Sequence, residues 1–93
     1  MKTIAWNDEK DAVLRADLDR GGIGLAECAE MIESGNLLAV VPNPSANHGD
    51  QQMYVLNIAG NAYCVPFDET DDYIFLKTLY PSRRFTALYL ERR

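Results

Sequence analysis

A β-hairpin signal in the middle of the sequence constrains the fold more than any other feature. Two runs rich in β-branched, aromatic and other apolar residues, Gln51–Ala59 and Ala62–Phe67, are separated only by Gly60-Asn61. Glycine and asparagine tolerate the positive φ angles that two-residue hairpin turns require, so this pair predicts a tight turn between antiparallel strands. We therefore expect an antiparallel sheet at the centre of the fold.

The remaining segments predict helices before and after these strands in the sequence. Asn7 is a good helix cap, and the apolar residues from Leu25 to Ile32 recur at helical spacing. The final helix is expected to start at Ser82 and to run to the C-terminus. The predicted elements are strands at 3–6, 37–41, 51–59, 62–67 and 73–80, helices at about 8–18 and 24–35, and the helix after Ser82. This order predicts an α+β fold: an antiparallel sheet of about four to five strands with two N-terminal helices and one C-terminal helix, all on one face.

Length and composition restrict the class of protein. The 93 residues, of which 47% are hydrophobic, suit a single domain over 1–93 with one modest core. No apolar run approaches the roughly 20 residues that a membrane-spanning helix needs, and nothing near Met1 resembles an export signal, so we expect a cytoplasmic protein. Cys28 and Cys64 lack metal-ligand spacing and are interpreted as buried small residues. No cofactor is expected.

Charge is distributed unevenly along the chain. Residues 1–76 contain four basic and thirteen acidic residues, a net charge of −9, and no lysine or arginine lies between Gly21 and Leu76. Residues 77–93 contain five basic residues and one acid, Glu91, a net charge of +4. The overall charge of −5 argues against a general nucleic-acid binder but leaves room for one local basic groove. We therefore expect the binding site for an anion to lie in the C-terminal segment, residues 77–93.

Four residues in this segment form the candidate catalytic site: Lys77, Tyr80, Arg83 and Arg84. RNA cleavage without a metal requires deprotonation of a 2′-hydroxyl, stabilisation of the extra negative charge on the phosphorane, and protonation of the 5′ oxygen. Arginine can stabilise the charge, while lysine or tyrosine can move protons. Two simpler interpretations stay open: Lys77 as an ordinary edge-strand lysine, and arginines paired with the protein's own carboxylates.

The single histidine restricts the possible mechanisms. His48 lies in a turn-rich, proline-containing loop predicted over 42–50. With one histidine in the chain, a two-histidine ribonuclease mechanism is excluded. A solvated loop histidine is the simpler interpretation of His48.

Three short motifs, in order, resemble the BrnT-like toxins of bacterial type II toxin–antitoxin modules, which have a RelE-like fold. Trp6-Asn7-Asp8-Glu9-Lys10 is similar to the family's strand-to-helix start, and Gly22-Ile23 before the second helix is similar to its junction of glycine followed by valine or isoleucine. Pro81-Ser82-Arg83-Arg84-Phe85-Thr86 resembles its double-arginine entry to the last helix. The order of elements agrees over nearly the whole chain.

The resemblance implies a toxin that cleaves RNA and is silenced by a co-encoded antitoxin. It implies a small DNA-binding antitoxin of the ribbon-helix-helix type, whose complex with the toxin represses the operon, so that DNA is contacted only through the antitoxin. In that family the strand before the double arginine and the arginines line the proposed active surface. An alternative function is a non-catalytic partner-binding protein on the same scaffold that modulates a DNA-binding antitoxin or repressor.

Overall fold

The computed structural model describes residues 2–43 and 51–91, which form an α+β fold with a mixed, open sheet. Within these residues there are three α-helices, α1 (Asp8–Ala16), α2 (Leu25–Glu33) and α3 (Arg83–Tyr89), and a 3-10 turn at Leu18–Arg20. The strands are β1 (Thr3–Trp6), β2 (Ala39–Pro42), β3 (Gln52–Ile58), β4 (Asn61–Glu69), β5 (Tyr73–Leu76) and β6 (Tyr80–Pro81). The α+β class predicted from the sequence is confirmed.

The sheet has the order β1-β5-β4-β3-β2, and the short β6 also pairs with β4. The predicted antiparallel hairpin of β3 and β4 is present, but its turn is Ala59-Gly60, both with positive φ, and the predicted turn Gly60-Asn61 is wrong by one residue because Asn61 already pairs with Ile58. The expectation of a purely antiparallel sheet is wrong, because β1 lies parallel to β5, with Ile4 opposite Ile74. Parallel strands need a long crossover, and the two helices and three strands between β1 and β5 provide it.

The first face of the sheet is covered by α1 and α2. Leu14 of α1 and Leu25, Cys28 and Ile32 of α2 pack against the side chains of the central strands. The residues that complete this core are Ile4, Ala29, Tyr54, Leu56, Tyr63, Val65, Phe67, Leu76 and Leu79. Because apolar residues recur three or four positions apart along α2, one stripe of the helix is buried while Glu30 and Glu33 stay exposed.

The second face of the sheet is covered by α3. Phe85 packs against Met53, Val55, Ala62 and Cys64, which alternate with the residues of the first face along β3 and β4. The prediction that all helices lie on one face is therefore wrong. Both faces of the central hairpin are apolar, as the continuous burial from Ala62 to Phe67 shows, so each face requires its own cover.

The predicted strand 73–80 is interrupted. β5 ends at Leu76 and β6 starts at Tyr80, and the segment between them is held where Arg20 Nη1 donates a hydrogen bond to the Leu79 carbonyl (3.1 Å). Leu76 and Leu79 both enter the first core, whereas uninterrupted alternation would separate them. Tyr80 consequently joins the second core.

The junction between α1 and α2 depends on a cap supplied from another helix. Gly24 at the N-cap of α2 has no side chain, and a Cβ there would collide with the Asp11 carboxylate. Asp11 Oδ1 instead accepts hydrogen bonds from the backbone N–H groups of Leu25 (2.6 Å) and Ala26 (3.3 Å). Arg15 bridges Asp11 and Glu27 at 3.0 and 2.7 Å. The absence of a side chain at Gly24 thus makes room for the cap that α2 requires.

No helix in the part of the chain that the structure describes is long and apolar enough to cross a membrane. Cys28 and Cys64 are both buried and unpaired, one in each core. Burial raises the pKa of the Cys28 thiol to about 12 and also raises the pKa of Cys64. Both side chains therefore remain neutral and pack as small apolar groups.

Candidate functional site

The start of α3 is fixed to the sheet by two hydroxyl groups. Ser82 Oγ accepts a hydrogen bond from the backbone N–H of Phe85 (3.1 Å), as expected of a helix N-cap. Thr86 Oγ1 accepts from the buried backbone N–H of Ala62 (2.8 Å) and donates to the Ser82 carbonyl (2.7 Å). Arg83 and Arg84 occupy the first two helical positions and are therefore held at a defined place on the surface.

Arg83 and Arg84 are exposed, and neither forms an ion pair with any of the residues that the structure describes. The Arg84 guanidinium carbon lies 5.3 Å from the centroid of the Phe85 ring, within cation–π range. Arg83 borders a shallow cavity beside Asn61 and Thr86. Successive helical positions are separated by about 100°, so the two side chains approach different neighbours. The alternative in which native carboxylates neutralise both arginines is not realised among residues 2–43 and 51–91.

Lys77 is exposed but is engaged by a carboxylate of the protein. Its Nζ lies 3.2 Å from Asp68 Oδ2, and both side chains are about half exposed (46% and 50%). The Lys77 backbone N–H donates to the Pro66 carbonyl (2.9 Å), which keeps the lysine alongside β4. Lys77 therefore has a local partner, in contrast to the two arginines.

Tyr80 is partly buried, and its hydroxyl lies within the second core. The hydroxyl donates a hydrogen bond to Met53 Sδ at 3.5 Å. Burial, with a smaller contribution from the neighbouring Cys64, raises the pKa of Tyr80. A raised pKa disfavours the tyrosinate, so in this conformation Tyr80 does not present a base to an RNA substrate.

The structure places three parts of the predicted site on one face of the sheet. Asp68 follows Phe67 of the first core along β4, so Asp68 and its partner Lys77 lie on the opposite face, which also holds Tyr80 and α3. The break before β6 produces this arrangement, since strict alternation along 73–80 would have put Lys77 and Tyr80 on different faces.

The four predicted residues do not converge on one point. Lys77 bonds to Pro66 and Ser82 bonds to Ala62, four positions further back along β4. At about 3.3 Å per residue this corresponds to roughly 13 Å between the backbone of Lys77 and the start of α3. Lys77 and the arginines therefore mark two ends of an elongated basic surface.

Sequence reasoning missed Asp68 and Gln51 as neighbours of the site. The predicted strand ends at Phe67, whereas β4 continues to Glu69 and carries Asp68 beside Lys77. Gln51 Nε2 donates to the other oxygen of Asp68 (2.9 Å). The apolar run in the sequence ends at Phe67, so no local pattern indicated this extension of the strand.

Other candidate groups contribute little to the site. His48 lies outside the described residues. Among residues 2–43 and 51–91, no cluster of three or more histidine, cysteine, aspartate or glutamate side chains is suited to hold a metal ion. A cavity of about 620 Å³ lies beside the site and is bordered by Lys2, Gln51, Gln52, Phe67, Asp68, Glu69, Thr70 and Asp71.

No protein-family model, curated protein or solved structure matches this chain.

Proposed function

We propose that this protein is the toxin of a type II toxin–antitoxin module, a metal-independent endoribonuclease that inhibits translation by cleaving RNA. The observation that carries the proposal is the pair Arg83 and Arg84, both exposed and neither ion-paired with a described residue. Two adjacent guanidinium groups suit recognition of phosphate, which they bind through charge-assisted hydrogen bonds. The motif resemblance to BrnT-like toxins supports the same assignment.

The roles of the side chains follow from their exposure. Arg83 and Arg84 contact the scissile phosphate and stabilise the charge that develops in the transition state. Lys77, on the same face, is the exposed group of the predicted site that can carry a proton, and it contacts RNA beyond the scissile phosphate. Tyr80 supports this surface through its packing against Met53.

The proposal predicts a pair of phenotypes in bacteria. Expression of the protein should arrest growth, and co-expression of the neighbouring gene, encoding a small DNA-binding antitoxin of the ribbon-helix-helix type, should restore it. Arg83→Ala or Arg84→Ala should relieve the arrest. Lys10→Ala, which removes one positive charge from α1 on the other face, should not. Undiminished arrest by both arginine variants, at equal protein levels, would contradict the proposed site.

A second candidate function is a non-catalytic protein that binds a DNA-binding antitoxin and modulates its operator affinity. It is favoured by one observation: Lys77 is paired with Asp68 and the Tyr80 hydroxyl is directed at Met53, so both proton carriers are engaged within the protein. The two functions differ in a cleavage assay with purified protein in the presence of a chelator. Intact RNA at high protein concentration, together with a changed operator affinity of the antitoxin, would establish the second function.

A further inference from the structure

The fold positions Asp68 next to Lys77, which is the only lysine among residues 77–91 and lies at one end of the elongated basic surface. Its Oδ2 lies 3.2 Å from Lys77 Nζ, and its Oδ1 accepts a hydrogen bond from Gln51 Nε2 at 2.9 Å. Gln51 is in turn fixed by Asn43, whose Nδ2 donates to Gln51 Oε1 (2.9 Å) and whose backbone N–H donates to the Gln51 carbonyl (3.0 Å). Each oxygen of the Asp68 carboxylate therefore has a defined partner.

We infer that Asp68 is an internal competitor that occupies Lys77 in place of an RNA phosphate and thereby limits RNA affinity at this end of the surface. This inference rests on the proposed function and specifies its affinity-determining residue. An anion that binds Lys77 must first displace a carboxylate oriented by Gln51. The arginines at the other end of the surface face no such competition from the described residues.

The ion pair serves the fold only weakly. Both side chains are about half exposed, and ion pairs of this kind contribute little to stability in double-mutant cycles. Lys77 is already held to β4 through its backbone N–H. Replacement of Asp68 by asparagine, which is isosteric and can still accept from Gln51, is therefore expected to leave the fold unchanged while it releases Lys77.

The salt dependence of RNA affinity distinguishes the release of Lys77 from a general change in the net charge of the protein. When a phosphate displaces Asp68 in the wild type, Lys77 exchanges one anion for another, and a counterion is taken up by the released carboxylate. In Asp68→Asn, Lys77 neutralises the phosphate and no counterion is taken up at position 68. The plot of log affinity against log salt should therefore steepen by about 0.7, the contribution of one additional phosphate on single-stranded nucleic acid.

The experiment measures binding of a 2′-O-methylated single-stranded oligoribonucleotide, which cannot be cleaved through a 2′-hydroxyl, by fluorescence anisotropy over a range of salt. Asp68→Asn should bind roughly two- to five-fold more tightly than the wild type at low salt, the range expected for an exposed ion pair. The matched control is Asp72→Asn, which makes the same charge change in the adjacent exposed turn. It should produce a smaller gain and leave the salt slope unchanged.

A second comparison isolates Lys77. In a Lys77→Met background, Asp68→Asn should give no more gain than Asp72→Asn, because the lysine that it would release is absent. Equal gains from Asp68→Asn and Asp72→Asn in the wild-type background would overturn the inference while leaving the proposed RNA function intact. Absence of binding by the wild type and by Asp68→Asn at low salt would contradict both.

Discussion

Lys77 and Tyr80 are both able in principle to move protons, but their polar atoms lie in different surroundings. The Lys77 ammonium group is at the surface, whereas the Tyr80 hydroxyl is directed into the second core, where burial raises its pKa. A group that transfers protons to or from a substrate must reach it within hydrogen-bond distance. The geometry therefore assigns a packing role to Tyr80, and it assigns Lys77, at the opposite end of the basic surface from the arginines, to contact with RNA beyond the scissile phosphate.

Substitutions at these two positions separate the roles. Lys77→Met should raise the protein concentration needed for half-maximal single-turnover cleavage by roughly two- to five-fold, because one phosphate contact is lost, while the rate at saturating protein stays close to that of the wild type. Tyr80→Phe keeps the ring and removes only the hydroxyl, so its cleavage rate should remain close to that of the wild type. A loss of about 10²-fold or more in the rate at saturating protein, in either variant, would place that side chain at the reacting groups and contradict the assignment.

At the level of elements, the position of α3 depends on the hydroxyl group of Thr86. This group joins the helix to the buried N–H of Ala62 and to the Ser82 carbonyl. The helix has only seven residues, and helices of this length are not stable on their own. Its attachment to β4 therefore determines where the two arginines are displayed.

Thr86→Val should destabilise the protein by about 1–3 kcal/mol, because valine has nearly the same shape but leaves the buried Ala62 N–H without an acceptor. Chemical denaturation would measure the free energy of unfolding. Thr78→Val is the control, since the Thr78 hydroxyl forms no hydrogen bond with the residues that the structure describes. Equal stability of the two variants would show that the Thr86 hydroxyl does not hold α3 in place.

The cap that α1 provides for α2 predicts a dependence of stability on pH. Partial burial opposes ionisation of the Asp11 carboxyl, but the hydrogen bonds from Arg15, Ala26 and Leu25 outweigh it and lower the pKa of Asp11 in the folded protein. Because folding lowers the pKa of Asp11, the ionised carboxyl stabilises the protein at pH values above its pKa in the unfolded chain, about 3.9. This stabilisation is lost as the pH falls through the lower pKa of the folded state.

Asp11→Ala should lower the free energy of unfolding by about 1–2 kcal/mol near neutral pH, because α2 loses its cap. The difference between Asp11→Ala and the wild type should begin to shrink below about pH 4, where the carboxyl of the unfolded chain becomes protonated, and it should continue to shrink as the pH falls through the lower pKa of the folded state. Denaturation at a series of pH values would test this, with the exposed Asp8→Ala as the control. A difference that stays constant down to acidic pH would contradict the proposed ionised cap.

At the level of the whole molecule, local patterns in the sequence predicted the elements better than their arrangement. The β3–β4 hairpin and the cap at Ser82 are encoded by neighbouring residues and both are present, with the hairpin turn one residue earlier than predicted. The parallel pairing of β1 with β5 joins residues about 70 positions apart, and no local pattern encodes it. Similarly, α3 lies on the second face because both faces of the central hairpin are apolar, which the sequence shows only as a continuous apolar run.

The candidate site was predictable to a similar extent. The unusual concentration of arginine at the start of the last helix was visible in the sequence, and the structure leaves both side chains exposed. The partner of Lys77 was not visible, because Asp68 reaches it only through the extension of β4 and the break between β5 and β6. These features depend on contacts between distant segments, including the hydrogen bond from Arg20 to Leu79.

The most direct test of the account measures RNA cleavage by the purified protein in the presence of a chelator, with the wild type compared with the Arg83→Ala/Arg84→Ala double variant. The wild type should cleave RNA, and the double variant should be at least about 10²-fold slower, the usual cost of removing a group that stabilises transition-state charge. Lys10→Ala should retain the wild-type rate. RNA left intact by the wild type, or cleaved equally well by the double variant, would contradict the central claim that these two arginines bind the reacting phosphate.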